Sequence, residues 1–332
     1  MARIAINGFG RIGRNAFKIA MKRGFDIVAV NDLTDSSTLA HLLKYDTGYG
    51  KFNGMIEAKE DALIVNGREV KVLAIKNPAE LPWRDLGIDI VIEATGEYKS
   101  RGKAALHLLA GAKQVIISAD SIQTEIKSIV MGVNEESYDP DKDDIIDNAS
   151  CTTNCLAPVI KVLNDSFGIK RGIFTTVHSY TNDQKLLDCP HQDLRRARSA
   201  IESIIPTTTV AAEAIGNIIP DMNGKLIGMA LRVPTPNVSV IDLTVEFNKN
   251  VTIEEVNRIL KQSADDKILG YTDEPLVSVD FKKDSRSAIV DGLSTMVLGG
   301  NMVKIIVWYD NEWGHANRIV DLTEYVSAKF TM

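Results

Sequence analysis

The residues of this chain best suited to chemistry gather around one cysteine. In Ser150-Cys151-Thr152-Thr153-Asn154-Cys155 a thiol stands where an apolar run gives way to a helical pattern, with only hydroxyls and an amide beside it. A helix N-terminus carries partial positive charge and unpaired N–H groups, and both favour a thiolate. Ser150 reads as the N-cap, and Leu156 to Leu163 supply the apolar face of the helix that follows. A thiolate held this way attacks carbonyl carbon. The competing reading of Cys151 is a small buried hydrophobe. The run Gly172 to Val177 reads as a strand that delivers His178 to a loop. An imidazole beside the thiolate would lower the thiol pKa and act as a base. By itself His178 reads as a satisfied structural histidine rather than a catalyst, and His41, His107, His191 and His315 keep that reading.

A second cluster lies at the N-terminus. Ala2 to Asn7 reads as a strand running into Gly8-Phe9-Gly10-Arg11-Ile12-Gly13, a GxGxxG turn, and then a helix to about Arg23. In this motif the first glycine makes the tight turn, the second admits a pyrophosphate to the backbone, and the third lets helix pack on strand. The anion would rest on the helix N-terminus. A second strand, Ile27 to Val30, ends at Asn31-Asp32, which places a carboxylate at the usual offset for a ribose 2′-OH. It would repel a 2′-phosphate, and no arginine stands beside it, so NAD is expected over NADP. The alternative is a loop cap. Thr95 and Gly96, closing the apolar run from Ile88, and Ser118, ending the next strand, are expected to face the same nucleotide crevice; a plain turn accounts equally for the first pair.

Anions have further candidates. Arg232 sits in an otherwise apolar strand and needs either a protein carboxylate or a ligand phosphate. Arg195, Arg196 and Arg198 form a denser group that surface salt bridges could absorb. Thr207-Thr208-Thr209 precedes a helix and offers hydroxyls and N–H groups to a second anion.

The elements that must position these groups divide at about residue 150. Before it, short apolar strands alternate with helical segments: Leu63 to Val65, Val70 to Ile75, Ile88 to Glu93, Gln114 to Ser118 and Ile129 to Val133 are the candidate strands. After it come longer β runs at Lys225 to Val233, Val238 to Phe247 and Val303 to Tyr309, with helices at Thr209 to Ile218, Ile253 to Ala264 and Trp313 to Lys329. The segment from Thr181 to about Arg198 has no clear period and is too long for a routine connection, so a functional or partner-packing role is expected.

Composition narrows the class. A net charge of −6 argues against a dedicated nucleic-acid or membrane-surface role. No apolar run reaches the ~18 residues that span a bilayer. The N-terminus enters a strand directly, without a signal-peptide pattern. Three cysteines in 332 residues make no disulfide framework, and their spacing matches no zinc site. A cytoplasmic enzyme without a metal is expected.

Several strings together resemble the phosphorylating glyceraldehyde-3-phosphate dehydrogenases over essentially the whole chain: Asn7-Gly8-Phe9-Gly10-Arg11-Ile12-Gly13-Arg14, Asn31-Asp32-Leu33, Ala149 to Cys155, Thr176-Val177-His178-Ser179-Tyr180-Thr181, Arg232-Val233-Pro234-Thr235 and Trp308-Tyr309-Asp310-Asn311-Glu312. The resemblance implies an α/β chain with an N-terminal Rossmann dinucleotide-binding domain and an α+β catalytic domain whose sheet is mixed or antiparallel. The boundaries would be 1–150, joined by a C-terminal helix at 315–332, and 151–314. It implies oxidation of glyceraldehyde 3-phosphate by NAD through a Cys151 thiohemiacetal and thioester, with His178 as base and inorganic phosphate as acyl acceptor.

By the same resemblance Gly8, Gly10, Arg11, Ile12, Asp32, Lys76, Thr95, Gly96 and Ser118 would hold NAD, and Asn311 its carboxamide. Thr181, Asp183 and Arg232 would take the substrate phosphate. Ser150, Thr209, the N–H of Val210 and Arg196 would take inorganic phosphate, with Thr152 beside them. Thr181 to about Ala200 would pack between subunits of a homotetramer. Some positions depart from the family pattern. Val210 replaces a glycine and its Cβ is expected to crowd the phosphate pocket. Lys76 replaces an arginine near the adenine, Asp120 a proline, Cys189 a leucine and His315 a tyrosine. The neighbouring alternatives are an erythrose-4-phosphate dehydrogenase, in which water takes the acyl group, and a non-catalytic binding protein on the same fold.

Overall fold

The computed structural model describes residues 2–121 and 125–330. Two compact units emerge. One comprises the chain to Ile129, Glu135–Ala149 and the residues from Ala316; the other comprises Val130–Asn134 and Ser150–His315.

The first unit is built on a sheet of nine strands among the described residues. Their order is Lys127–Ser128, Ile145–Asp147, Gln114–Ile117, Ile90–Glu93, Arg3–Asn7, Asp26–Asn31, Arg68–Leu73, Ala62–Val65 and Ile56–Ala58. Pairing is parallel from the first to Arg68–Leu73 and antiparallel for the last two. The central strands are buried on both faces, so their sequences read as continuous apolar runs rather than alternations. The Arg11–Lys22 helix begins directly after the Gly8 turn. The Trp313–Lys329 helix carries Ala316, Ile319, Val320, Leu322 and Val326 into the core of this unit. Trp83 is fully buried among Ala5, Ala29, Leu81, Ile88 and Val91.

In the second unit seven described strands run in the order Ile205–Thr207, Leu226–Val233, Ile169–Ser179, Ser239–Phe247, Met302–Tyr309, Ala288–Leu298 and Leu269–Thr272. Most pairs are antiparallel, but Leu226–Val233 runs parallel to Ile169–Ser179 and Leu269–Thr272 parallel to Ala288–Leu298. Along Ile169–Ser179 the even positions Gly172, Phe174, Thr176 and His178 are turned inward, while Ile173 lies exposed on the other face. The Cys151–Phe167 helix packs on the inner face. Strand periodicity therefore aims His178 at the start of that helix.

One expected strand is absent. Ile129 to Val133 is apolar but forms turns, because Gly132 adopts φ +82° and the Asn134 side chain caps the Val130 N–H at 2.8 Å. The ladder holds Lys127–Ser128 instead. His178 also differs from expectation: it lies inside its strand, not in the loop beyond.

Candidate active site

The reactive thiol is placed by a helix start. Ser150 has extended backbone and its Oγ accepts the Thr153 N–H at 3.2 Å, so it is the N-cap and Cys151 the first helical residue. The residue before the cap, Ala149, is fully buried at φ +52°, a left-handed conformation costing ~1 kcal/mol for a residue with a Cβ. Its N–H is held by the Asp147 carboxylate at 2.8 Å. Cys151 is half-buried, whereas Cys155 is fully buried and burial pushes its thiol well up. Of the two, Cys151 is the accessible nucleophile.

His178 Nε2 lies 3.4 Å from Cys151 Sγ. The ring is buried and meets the Tyr309 ring edge-on at 6.0 Å. Its Nδ1 is 2.6 Å from the Ser179 carbonyl and 2.6 Å from Arg232 Nη1. Arg232 reaches it because parallel register sets Arg232 directly opposite His178. Burial first, and then the Arg232 charge, bring the imidazole down from 6.5 to about 3. The free site thus holds a neutral histidine. Arg232 makes no ion pair with a carboxylate among the described residues, and its buried Nε has no partner. Of the two partners its position called for, a protein carboxylate is missing.

Thr181 Oγ1 donates to Asp183, whose other oxygen takes Arg196 Nη1 at 2.5 Å. Burial raises the Asp183 carboxyl, but the Thr181 bond and the Arg232 and Arg196 charges outweigh it and leave it lowered. Arg196 also lies 3.4 Å from Asp193, and Arg198 pairs with Asp188 at 3.0 Å. Arg195 instead lines a cavity of about 330 Å³ with Thr207, Thr208 and Thr209. Val210 sits at φ −93° as N-cap of the Ala211–Ile218 helix, so a β-branched residue fits there without strain.

Two groups in this site escaped the sequence reading. Tyr309 Oη bridges Thr152 Oγ1 at 3.1 Å and Thr176 Oγ1 at 2.8 Å, tying helix start to strand; burial pushes its phenol far up. Ser179 and Ser239 hydroxyls both donate to Asn311 Oδ1, at 2.7 and 3.0 Å, which fixes the amide orientation. The alternating burial of Met302–Tyr309, ending on a buried tyrosine, is the signal that could have found the first.

The cofactor fit rests on the glycine turn of the first unit. A Cβ at Gly8 would come within 2.6 Å of Thr95 N, and one at Gly13 within 2.0 Å of Gly8 O. At Gly10 a Cβ would meet nothing within 4 Å, and the Gly10 cap carries no side-chain bond. The first-turn N–H groups thus look onto open space fit for an anion. Asp32 accepts Phe9 N at 2.9 Å and Thr34 N at 3.0 Å, which anchors a half-buried carboxylate beside the turn. The Arg11 side chain turns away to Asp46 at 2.9 Å, so only its backbone serves the turn. Lys76, Thr95 and Gly96 are exposed and Ser118 is buried. These residues fit a dinucleotide.

Beneath the turn lies a buried polar network that sequence reading also missed. Glu93 accepts Asn7 Nδ2 at 2.6 Å, Thr95 N at 2.7 Å, the Thr95 hydroxyl, and His107 Nε2 at 3.1 Å. Trp83 Nε1, which only donates, bonds His107 Nδ1 at 3.0 Å, so the His107 proton is assigned to Nε2, facing Glu93. Asn31 Nδ2 completes the set on Asn7 Oδ1 at 2.7 Å. His107 is the satisfied structural histidine its sequence suggested.

Comparison with known proteins agrees with this geometry. Residues 2–101 match the family model of the glyceraldehyde 3-phosphate dehydrogenase NAD binding domain, and residues 150–311 that of the C-terminal domain. The chain is 56% identical over 331 residues to glyceraldehyde-3-phosphate dehydrogenase of Geobacillus stearothermophilus, covering 98% of each. It is 54% identical over 333 residues to glyceraldehyde-3-phosphate dehydrogenase 1 of Bacillus cereus, covering 99% of each. Identity to the Borreliella burgdorferi enzyme of that name is 54%, over 97% of this chain and 98% of the other.

Proposed function

Because this chain belongs to the glyceraldehyde-3-phosphate dehydrogenase family, we propose that it converts D-glyceraldehyde 3-phosphate to 1,3-bisphosphoglycerate with NAD and inorganic phosphate. The observation that carries the reading is the 3.4 Å contact between Cys151 Sγ and His178 Nε2 at a helix N-terminus. The Cys151 thiolate attacks the aldehyde carbon, and the helix dipole steadies its charge until the carbon–sulfur bond forms. His178 then takes the proton of the thiohemiacetal hydroxyl. NAD, when bound, supplies the hydride acceptor. Inorganic phosphate displaces Cys151 from the resulting thioester.

Backbone N–H groups of Gly10, Arg11 and Ile12 are the pyrophosphate donors, Gly8 makes room for the turn, and Asp32 accepts from a ribose hydroxyl. Thr95, Gly96, Ser118 and Lys76 border the nucleotide, and Asn311 offers its amide to the carboxamide. Thr181 and Arg232 take the substrate phosphate, with Asp183 holding Thr181. Ser150, Thr152, Thr209, the Val210 N–H and Arg196 serve inorganic phosphate; Arg196 would have to leave Asp183 to do so. Residues 1–150 with the C-terminal segment 315–332 form the NAD domain and 151–314 the catalytic domain. The protein is cytoplasmic, and no described helix is long and apolar enough to cross a membrane. Exposed Leu186, Leu187, Leu194 and Ile204 in and after the Thr181–Ala200 segment support a homotetramer.

The test is NAD reduction with glyceraldehyde 3-phosphate, with and without inorganic phosphate, for wild type and Cys151→Ser. Phosphate-dependent turnover that the variant loses is expected. Turnover indifferent to phosphate would mean water is the acyl acceptor and would overturn the phosphorylating assignment.

A further inference from the structure

The contacts of His178 Nδ1 conflict chemically. A carbonyl such as Ser179 O only accepts, so a bond to it needs a proton on Nδ1. A guanidinium carries five donors and no acceptor, so a bond from Arg232 needs a lone pair on Nδ1. Both groups stand 2.6 Å away, and one nitrogen cannot satisfy both at once. They are alternatives, and which one holds decides what Nε2 presents to Cys151.

We propose that Arg232 and the substrate's phosphate together select the tautomer of His178. With the guanidinium on Nδ1, the ring proton sits on Nε2 and points at Cys151 Sγ. When a phosphate draws the guanidinium off, Nε2 releases its proton while Nδ1 binds one and donates it in a hydrogen bond to the Ser179 carbonyl. This rests on the reading of Arg232 as a substrate-phosphate residue. Its buried, unpartnered Nε is the observation that the guanidinium is incompletely bonded where it stands.

The proton balance follows the reaction. With the phosphate bound and the ring proton on Nδ1, Nε2 takes the Cys151 thiol proton as the sulfur attacks. The carbon–sulfur bond forms, the carbonyl electron pair moves to oxygen, and Nε2 hands that proton on to the oxygen. Nε2 is again left with a lone pair facing the hydroxyl, and it takes the proton back as the carbon is oxidised. An aldehyde without a phosphate leaves Arg232 in place and so meets a ring with no base at Nε2. The other groups around the ring are Tyr309, edge-on, and the Asp183 carboxylate, whose charge acts from a distance.

The test is nitrogen NMR of enzyme labelled at its histidines, with His178 assigned through His178→Asn, before and after saturation with glycerol 3-phosphate, which has no aldehyde. The proton is expected on Nε2 in the free enzyme and on Nδ1 in the complex; Arg232→Ala should show it on Nδ1 without ligand. Arg232→Ala should also lose on the order of 100-fold in kcat/KM on glyceraldehyde 3-phosphate. A proton on Nδ1 in the free wild type, or no change on saturation, overturns the switch. Should glycerol 3-phosphate bind Arg232→Ala as tightly as wild type, the phosphate assignment of Arg232 falls and the switch with it. Weakened binding with an unchanged tautomer fells the switch alone.

Discussion

A single pair, Cys151 and His178, carries the chemistry, and its neighbours set its working state. His178→Asn should lower kcat by about 10²- to 10⁴-fold, since it deletes the general base. The same residue shapes acid stability. Its folded pKa of about 3 lies below the unfolded 6.5, so the unfolded chain binds the proton first as pH falls. Stability at this site is therefore complete above pH 6.5 and is lost between 6.5 and about 3. Urea unfolding near pH 5 should show His178→Asn relieved of about 2 kcal/mol of that loss relative to its own value at neutral pH. Cys151 was legible in the sequence because it stands at a helix start among hydroxyls, and His178 because a strand-like run leads up to it. Tyr309 and Glu93 were not, because their partners are hydroxyls, amides and a histidine brought from distant strands.

The glycine turn separates two kinds of requirement within one element. Gly13 and Gly8 are packed against backbone, whereas Gly10 faces open space. Gly13→Ala should destabilise the first unit and abolish NAD binding together. Gly10→Ala should keep its melting temperature within a few degrees, yet weaken NAD binding at least ~10-fold in a fluorescence titration. Equal damage from the two would refute the distinction. The Ala211–Ile218 and Ile253–Gln262 helices were legible to within two residues, and the C-terminal helix to within a few, because burial enforces their period. The Ser36–Lys44 and Arg101–Leu109 helices and the Ile145–Asp147 strand were not placed. Leu269–Thr272 and Ala288–Leu298 were missed: Asp291, Gly292 and Ser294 interrupt the apolar pattern where the ladder itself is irregular. Ile129 to Val133 misled for the opposite reason, being apolar through burial in a turn.

At the scale of the whole molecule, Leu186, Leu187 and Leu194 are 67 to 80% exposed in a segment with almost no regular structure. Ile173 and Ile227 add apolar area on the outer face of the second sheet. Sedimentation should give a mass near four times the 36.4 kDa chain, and Leu187→Asp with Leu194→Asp should shift it toward smaller species. An unshifted tetramer would mean that other surfaces hold the assembly. The segment's length hinted at this role, but which leucines face outward is set only by the fold.

The seat of Trp83 has an optical consequence. Of the chain's three tryptophans, Trp83 alone belongs to the first unit, fully buried and donating to His107, while Trp308 and Trp313 belong to the second. In Trp308→Phe/Trp313→Phe protein, emission should be blue-shifted and shielded from iodide. Its shift to the red on denaturation would record the melting of the nucleotide-binding half by itself, one indole serving as that half's thermometer.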